Sequence, residues 1–350
     1  MRHPLSRLAS LATLPLKGGG IIILVSAAPM PVPVDTALLL TDAPAAKLSD
    51  YRLFLDTAAK RPNARVTPYA LNTPLFSDYA AKHRFVFVPP GTTATYRPEG
   101  VMDFPVGTAL VKTFATPTRF LETRLLIRKA SGWVAQPYLW NAEGTEATLK
   151  RTGTTLDVEM PTPAGRAHVD WQVPNVNQCK GCHARGDAMT PIGPTAWNLG
   201  PARLRDWAKR GLLRGVPAAP PMVPRWDDAS APVAVRAKAY LAVNCAHCHN
   251  AAGPASNSGL FLDFGQPDRV ASGIGKRPVA AGRGSGGNAY AIVPGRPDDS
   301  ILAYRMASTE PGVMMPELGR TLVHREGLAL VRVYIASLPP EPLAAAPTKP

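Results

Sequence analysis

Two short cysteine motifs constrain this chain more than any other feature of its sequence. Cys179-Lys180-Gly181-Cys182-His183 is followed later in the chain by Cys245-Ala246-His247-Cys248-His249, and the two motifs contain all 4 cysteines. C-x-x-C-H is the pattern to which haem c is attached: the two thiols bond to the porphyrin and the histidine binds its iron. The sequence therefore predicts two covalently attached haem c groups. Their attachment residues are Cys179, Cys182, Cys245 and Cys248, and the proximal iron ligands are His183 (haem 1) and His249 (haem 2).

Two other uses of paired cysteines must be weighed. Four cysteines in two C-x-x-C pairs can hold a zinc ion, but zinc gives no reason for a histidine directly after each pair. Structural disulfides or a thioredoxin-like redox pair are the other alternative, and no βαβ pattern surrounds either motif. Haem attachment accounts for both cysteines and for the final histidine of each motif.

The N-terminus predicts export. Residues 1–28 form an imperfect signal peptide, with a basic start, two short apolar runs and the small residues Ser26-Ala27-Ala28 near the expected cleavage point. Each apolar run is shorter than the roughly 20 residues that a membrane-spanning helix needs. Because bacterial haem is attached to C-x-x-C-H outside the cytoplasm, we expect a periplasmic protein.

Net charge bears on the choice of partner. The chain carries a formal charge of +14 with a pI near 9.9. This excess favours an acidic redox partner protein, or peripheral association with an anionic membrane surface. Nucleic acid is not expected, because no basic helix and no basic patch interleaved with aromatic residues is present.

Sequence patterning divides the chain. A Pro- and Ala-rich stretch, 29–48, predicts a flexible leader, and the short β-branched and aromatic segments of 49–175 predict a β-rich domain resembling a sandwich or barrel. Residues 176–228 hold the first haem motif and a Pro-rich linker, 229–338 hold the second motif, and 339–350 predict a disordered tail. Helical patterns are predicted at Ser49–Lys60, Ala202–Leu213, Val233–Asn244, Ser300–Met306 and Arg325–Leu338.

The segment 229–338 resembles a class I cytochrome c domain. In that family a helix leads into C-x-x-C-H, a C-terminal helix packs across it, and a distal methionine lies on a loop before the last helix. Met315-Pro316 occupies the position of that methionine. The resemblance therefore implies Met315 as the second ligand of haem 2, with the neighbouring Met314 as its rival.

A wider resemblance covers roughly residues 50–338. Four segments are similar to a family of bacterial two-haem c-type cytochromes of unknown function: Leu75–Ala80, Phe104–Thr108, Leu121–Leu126 and Asn244–His249. It implies two haems and export but no substrate. Pattern and resemblance together predict an α+β multidomain protein, with a β-rich N-terminal domain followed by mostly α-helical cytochrome c-type haem domains.

The distal ligand of haem 1 is left open by the sequence. Met222 lies in a Pro-rich stretch with enough slack to reach the iron, and Met189 lies close to His183 in the chain. The β-rich domain offers other donors, and an open coordination site is a further alternative. Those other donors are His83, His168, Met102 and Met160.

Several charged or titratable residues near the motifs are assigned weaker roles. His247 occupies a variable position of its motif and His324 begins the last helix, so both are expected at the surface. An arginine near the second motif is a candidate partner for haem propionates. The candidates are Arg283, Arg296, Arg305 and Arg320.

Three functions follow as hypotheses. The first is an exported dihaem cytochrome that passes electrons between a donor and a partner. The second is a haem enzyme, a peroxidase or small-molecule oxidoreductase, in which haem 1 is catalytic and haem 2 relays electrons. The third treats the β-rich domain as a module that binds a protein or glycan.

Overall fold

The computed structural model of the chain describes residues 32–343. The predicted signal peptide (1–28) and residues 344–350 of the predicted tail lie outside the described residues. Twelve strands and seven α-helices are found within them. The strands are β1 Val66–Tyr69, β2 Ala81–Phe87, β3 Ala94–Thr95, β4 Ala109–Ala115, β5 Phe120–Lys129, β6 Gly132–Trp140, β7 Ala147–Leu149, β8 Thr154–Thr162, β9 Gly165–Val173, β10 Ala184–Arg185, β11 Ala188–Met189 and β12 Leu213–Arg214. The helices are α1 Thr36–Leu40, α2 Val176–His183, α3 Ala196–Leu199, α4 Pro201–Lys209, α5 Val233–Asn244, α6 Ile301–Ala307 and α7 Arg325–Ser337.

A six-stranded antiparallel sheet organises the first half of the chain. Its strand order is β1-β2-β4-β5-β6-β7. Alternate residues of each strand point to opposite faces, so the register assigns each side chain to one of two surfaces. One surface is mostly apolar, with the polar side chains of Thr113, Thr123 and Gln136 buried on it. The other carries charged residues in the middle and apolar residues at both ends.

The apolar surface packs against the N-terminal segment. Side chains from β2, β4, β5 and β6 meet α1 and the residues that follow it, and Leu39, Tyr51 and Tyr138 are at most 1% exposed there. Residues 34–48, which the sequence assigned to a flexible leader, contribute α1 and several of the buried side chains of this core. The predicted helix Ser49–Lys60 is absent from this segment, where a short 3₁₀ turn at Leu48–Tyr51 stands instead.

The second surface of the sheet is covered at its two ends. At one end α3 and α4 pack on Val86 and Leu110, with Trp207 fully buried. At the other end the β8–β9 hairpin places Trp171 against Phe114, with ring centroids 5.2 Å apart. The middle of this surface is left facing the two cysteine motifs.

The helices α5, α6 and α7 form a separate apolar cluster beside the second motif. Tyr240 of α5 belongs to one buried cluster with Val331 and Ile335 of α7. The two helices approach so closely that a Cβ at Gly327 would lie 2.3 Å from the ring of Tyr240. Only glycine fits at this crossing, which fixes how α7 lies against the helix that precedes the second motif.

The predicted fold class is wrong. The sequence predicted mostly α-helical haem domains after the β-rich region, whereas the structure is β-rich, with 23% of residues in helices. The physical reason lies largely in residues 250–300, whose many glycines and prolines favour turns over helices. The sheet is also not a barrel, because β1 and β7 remain its edges, and its second layer is a single hairpin and two short helices rather than a second full sheet.

No helix within residues 32–343 is long and apolar enough to cross a membrane.

Candidate functional site

The first motif lies within α2. Asn175 precedes the helix and accepts a hydrogen bond from the Gln178 amide at 2.8 Å, while Gln178 Oε1 accepts one from the Asn175 amide at 2.9 Å. This reciprocal capping box satisfies two amides that a helix start otherwise leaves unpaired. It fixes the position of the turn that carries Cys179 and Cys182.

The ring of His183 is oriented by the hairpin that follows α2. Its Nδ1 lies 3.0 Å from the carbonyl oxygen of Thr190, and the Thr190 amide donates to the His183 carbonyl at 2.7 Å. An Nδ1–H bonded to a carbonyl leaves Nε2 free as a metal ligand. Burial lowers the pKa of His183 to about 3, so the imidazole is neutral, as iron coordination requires.

The second motif forms the turn that ends α5. The amides of Cys248 and His249 both donate to the carbonyl of Cys245, at 3.1 and 2.9 Å. His249 Nδ1 lies 3.3 Å from Ser258 Oγ, which again leaves Nε2 for a metal. Burial also lowers the pKa of His249 below its ordinary value.

The two motifs meet in space. Cys248 Sγ lies 3.9 Å from the carbonyl oxygen of Gly181, which is inside the first motif. Two cavities adjoin at this contact, and Cys182, Cys245 and Met315 line both. With the open solvent at their mouths included, the cavities enclose about 2100 and 1490 Å³ of empty space.

The first cavity lies between the first motif and the uncovered middle of the sheet. Cys179, Cys182 and His183 form one side. Three basic residues of the sheet, Arg84, Lys112 and Arg124, also line it. Both cysteines of the first motif and three positively charged side chains therefore line the same cavity.

The second cavity contains the residues that the sequence assigned to haem 2. Cys245, Cys248 and His249 line it, and so does Met315, which returns to the site from the loop before α7. Met314, its rival, lines neither cavity. Met306 of α6 lines both and was not singled out from the sequence, where it reads as part of an apolar helical stripe.

Arg320 holds the loop that carries Met315. Its Nη2 donates to the carbonyls of Met315 and Ser308, each at 2.8 Å, and its Nη1 donates to Leu322 O at 3.0 Å. The residue is 6% exposed. A buried guanidinium shared among several carbonyls fixes the shape of a loop that has no regular secondary structure.

The segment 76–79 connects the sheet to the second motif. The Phe76 amide donates to Asn244 Oδ1 at 2.8 Å, directly before Cys245. The carboxylate of Asp78 accepts from the amides of Thr321 and Leu322, at 2.9 and 2.7 Å. Asp78 has a φ of 46°, a left-handed conformation that costs a non-glycine residue about 1–2 kcal/mol. These contacts hold that conformation and join both ends of the second site to the sheet.

The donors proposed for the far side of haem 1 are not brought to the first cavity. Met222 is 74% exposed, and Met189 lies in the β10–β11 hairpin next to Thr190; neither lines either cavity. The same holds for the donors proposed from the β-rich domain: His83 and His168 on the surface, and Met102 and Met160 in apolar cores.

Two histidines expected at the surface are not fully exposed. The side chain of His324 is 13% exposed and stacks on Phe76, with ring centroids 4.2 Å apart, so its predicted exposure is wrong. His247 is half-buried and lines both cavities. Its Nδ1 is buried and has no hydrogen-bond partner among the described residues.

The arginines proposed as propionate partners differ in position. Arg320 is committed to carbonyl groups, Arg283 pairs with Glu310, and Arg296 pairs with Asp299. Arg305 lines the second cavity, where its Nε donates to Val313 O at 2.8 Å. Sequence reasoning missed the three basic residues on the sheet, because they lie on different strands and only the register brings them together.

The thiols lack the character of a redox-active pair. Burial raises the pKa of Cys245 to about 12 and that of Cys248 to about 11, and it also raises the pKa of Cys179 and Cys182. Redox-active cysteines instead have lowered pKa values, because the thiolate is the reacting form. All four cysteines are free, and no group of three or more His, Cys, Asp or Glu side chains within the described residues is arranged to hold a metal ion alone.

The donor set fits haem c. Each motif presents two free thiols and one neutral histidine, and the Nδ1 of that histidine is bonded elsewhere. Each set opens into a cavity large enough to admit a bulky group. No family model, curated protein or solved structure matches the chain. The resemblance to two-haem c-type cytochromes therefore stays a prediction from the sequence.

Proposed function

We propose that this chain is an exported dihaem c-type cytochrome that transfers electrons through two covalently bound haem groups. The observation that carries the proposal is the contact between the motifs, with Cys248 Sγ 3.9 Å from Gly181 O. Two attachment sites in contact, with cavities that share a wall, suit electron passage from one to the other. A bound haem iron would supply one-electron redox chemistry at each site.

The residues of the chain have distinct parts in this proposal. His183 and His249 would bind iron through Nε2, because their Nδ1 atoms are engaged with Thr190 and Ser258. Met315 would bind the iron of haem 2, and its thioether favours the reduced state. Arg320 donates to the Met315 carbonyl and so fixes the loop that would present this thioether.

Partner and location follow from charge and motif chemistry. The positive excess of the chain favours an acidic redox partner protein, whose approach it would accelerate. Attachment of haem to C-x-x-C-H and the N-terminal pattern favour the periplasm. Peripheral association with an anionic membrane is compatible with the same charge.

Electron capacity tests the proposal. The chain is produced with an export signal in a host that matures c-type cytochromes, and the oxidised protein is titrated with a one-electron reductant. We expect two electrons per chain in the intact protein and one in each of the variants Cys179→Ala/Cys182→Ala and Cys245→Ala/Cys248→Ala. A folded protein that accepts no electrons contradicts the proposal.

A haem enzyme is the second candidate, and one observation favours it. None of the methionines or histidines that the sequence offered as the second ligand of haem 1 lines the first cavity, although His247 and Met306 do. An iron without a second protein ligand has a position for substrate. We then expect one high-spin haem whose spectrum shifts on adding cyanide, whereas two low-spin haems that ignore cyanide contradict this candidate.

A further inference from the structure

Three basic side chains form one row across the sheet. The register pairs Arg84 of β2 with Lys112 of β4, and Lys112 with Arg124 of β5. Directly opposed residues point to the same face, with Cβ atoms about 5 Å apart, and like charges in such pairs are destabilising. A row of three cations on the inner face of a sheet therefore needs compensation.

One of the three cations, Arg124, is paired with an acidic side chain. Arg124 donates from Nε and Nη2 to the two oxygens of Glu122, at 2.8 and 2.6 Å. Trp171 Nε1 donates to Glu122 Oε1 at 3.0 Å, and the carboxylate is fully buried. Glu122 is thus fully engaged by these two partners.

The other two cations lack a counter-charge. Arg84 is 9% exposed, and its contact is a 3.4 Å hydrogen bond to the carbonyl of Lys82. Lys112 Nζ lies 5.0 Å from the centroid of the Phe114 ring and makes no hydrogen bond or ion pair within residues 32–343. Asp78, the acid that lines the cavity, is already bonded to the amides of Thr321 and Leu322.

Both unpaired cations open into the first cavity, beside Cys179 and Cys182. Burial, followed by repulsion from Arg124 and Arg84, lowers the pKa of Lys112 to about 7. A buried cation is expensive unless an anion accompanies it. The cavity is therefore short of negative charge, and a carboxylate is the group that a guanidinium and an ammonium recognise well.

We propose that Arg84 and Lys112 form a carboxylate-binding site in the first cavity. The carboxylate has two sources: the propionates of haem 1, in which case the site rests on the proposed function, or a free organic acid that enters the cavity. Either source supplies the negative charge that the row lacks. Arg124 is held in place by its two hydrogen bonds to Glu122.

The test uses the full-length exported protein and the variant Lys112→Met, which keeps the length of the side chain and removes its charge. Lys82→Met is the matched control, because Lys82 lies on the same face of the same sheet, donates to Ala80 O at 3.2 Å and does not line the cavity. Haem content is measured first in every sample. Failure of the dihaem function then appears as missing haem in all of them, independently of Lys112.

Two arms distinguish the sources. For propionates, the reduction potential of one haem falls in Lys112→Met and not in Lys82→Met, because a nearby positive charge that favoured the reduced iron is gone, and added succinate has no effect. For a free acid, calorimetry shows that succinate binds the wild type and Lys82→Met, and that its affinity falls at least tenfold in Lys112→Met. Unchanged potentials together with no succinate binding to any of the proteins overturn the proposal.

The free energy of unfolding gives a second test, because the effect of Lys112→Met on it should change sign when a carboxylate is bound. In a chain lacking haem 1 (Cys179→Ala/Cys182→Ala), without added acid, Lys112→Met removes an unpaired, half-buried charge and shifts the unfolding midpoint to higher denaturant. With the carboxylate present, as propionate or as succinate, the same substitution strips the anion of its partner and shifts the midpoint to lower denaturant. A shift of the same sign in both states means that Lys112 is merely structural and overturns the proposal.

Discussion

The thiol sulfur of Cys248 lies 3.9 Å from the carbonyl oxygen of Gly181, although the two residues are 67 positions apart in the chain. This contact places the second cysteine motif against the first and lets Cys182 and Cys245 line both adjoining cavities. Segment 76–79, bonded to Asn244 and to Thr321, locks the arrangement to the sheet. The two sites therefore form one unit.

Replacing Met315 by alanine should change the ligation of one haem. We expect loss of the long-wavelength absorption of a methionine-bound ferric haem and a lower reduction potential at that site, because the thioether favours Fe(II). Met314→Ala is the matched control, since Met314 lies next in the chain and outside both cavities. Met306→Leu tests the thioether that also lines the second cavity. A spectrum unchanged in Met315→Ala but altered in Met306→Leu reassigns the ligand.

Arg320→Ala should loosen the loop that carries Met315. The substitution leaves the buried carbonyls of Met315, Ser308 and Leu322 without their donor, and we expect the free energy of unfolding to fall by about 3 kcal/mol. Arg320→Lys keeps the charge but cannot reach all three carbonyls, so it should recover only part of this loss. Urea unfolding of the three proteins measures the effect. Equal stability of wild type and Arg320→Ala would refute this assignment.

Glu122→Gln should be costly because it leaves Arg124 as an uncompensated charge on the sheet. Breaking a buried ion pair typically costs about 3–5 kcal/mol. The exposed pair Arg225–Asp227 provides a contrast, and Asp227→Asn should cost less than about 1 kcal/mol. Denaturant midpoints of the two variants give the comparison, and similar losses in both would argue against burial as the cause.

His324 predicts loss of stability in acid. Burial lowers its pKa to about 4 from 6.5, so the unfolded chain binds the proton first; its contribution is complete above pH 6.5 and is lost as the pH falls toward 4. Between pH 7 and 5, wild type should lose about 2 kcal/mol more than His324→Gln, whose side chain does not titrate. Urea unfolding at both pH values measures the difference. Parallel losses in the two proteins contradict the prediction.

Helices and strands could be predicted from the sequence where the residues of a single segment determine them. The pattern of Val233–Asn244 predicted α5 with its observed bounds, and short β-branched and aromatic segments predicted strands in residues 49–175, where β5 and β6 lie. The predicted helix at Ser49–Lys60 is wrong. Its apolar side chains, such as Tyr51 and Leu53, reach the core from an irregular segment.

Features that depend on distant contacts were not predictable. Nothing near Lys112 in the sequence indicates that Arg84 and Arg124 flank it, because only strand register brings them together. The mostly helical haem domains were inferred from the motif and the helices around it. The glycine- and proline-rich stretch between α5 and α6 instead forms turns, packed against those helices through side chains such as Ile274 and Ile292.

Covalent attachment of two haem groups can be read from the mass of the denatured protein. The full chain is matured with export in a host that attaches haem c, unfolded in acid and analysed by mass spectrometry. We expect a mass greater than that of the processed polypeptide by two haem groups, and by one in Cys179→Ala/Cys182→Ala and in Cys245→Ala/Cys248→Ala. A wild-type chain that keeps no haem after unfolding, with four unmodified cysteines, would contradict it.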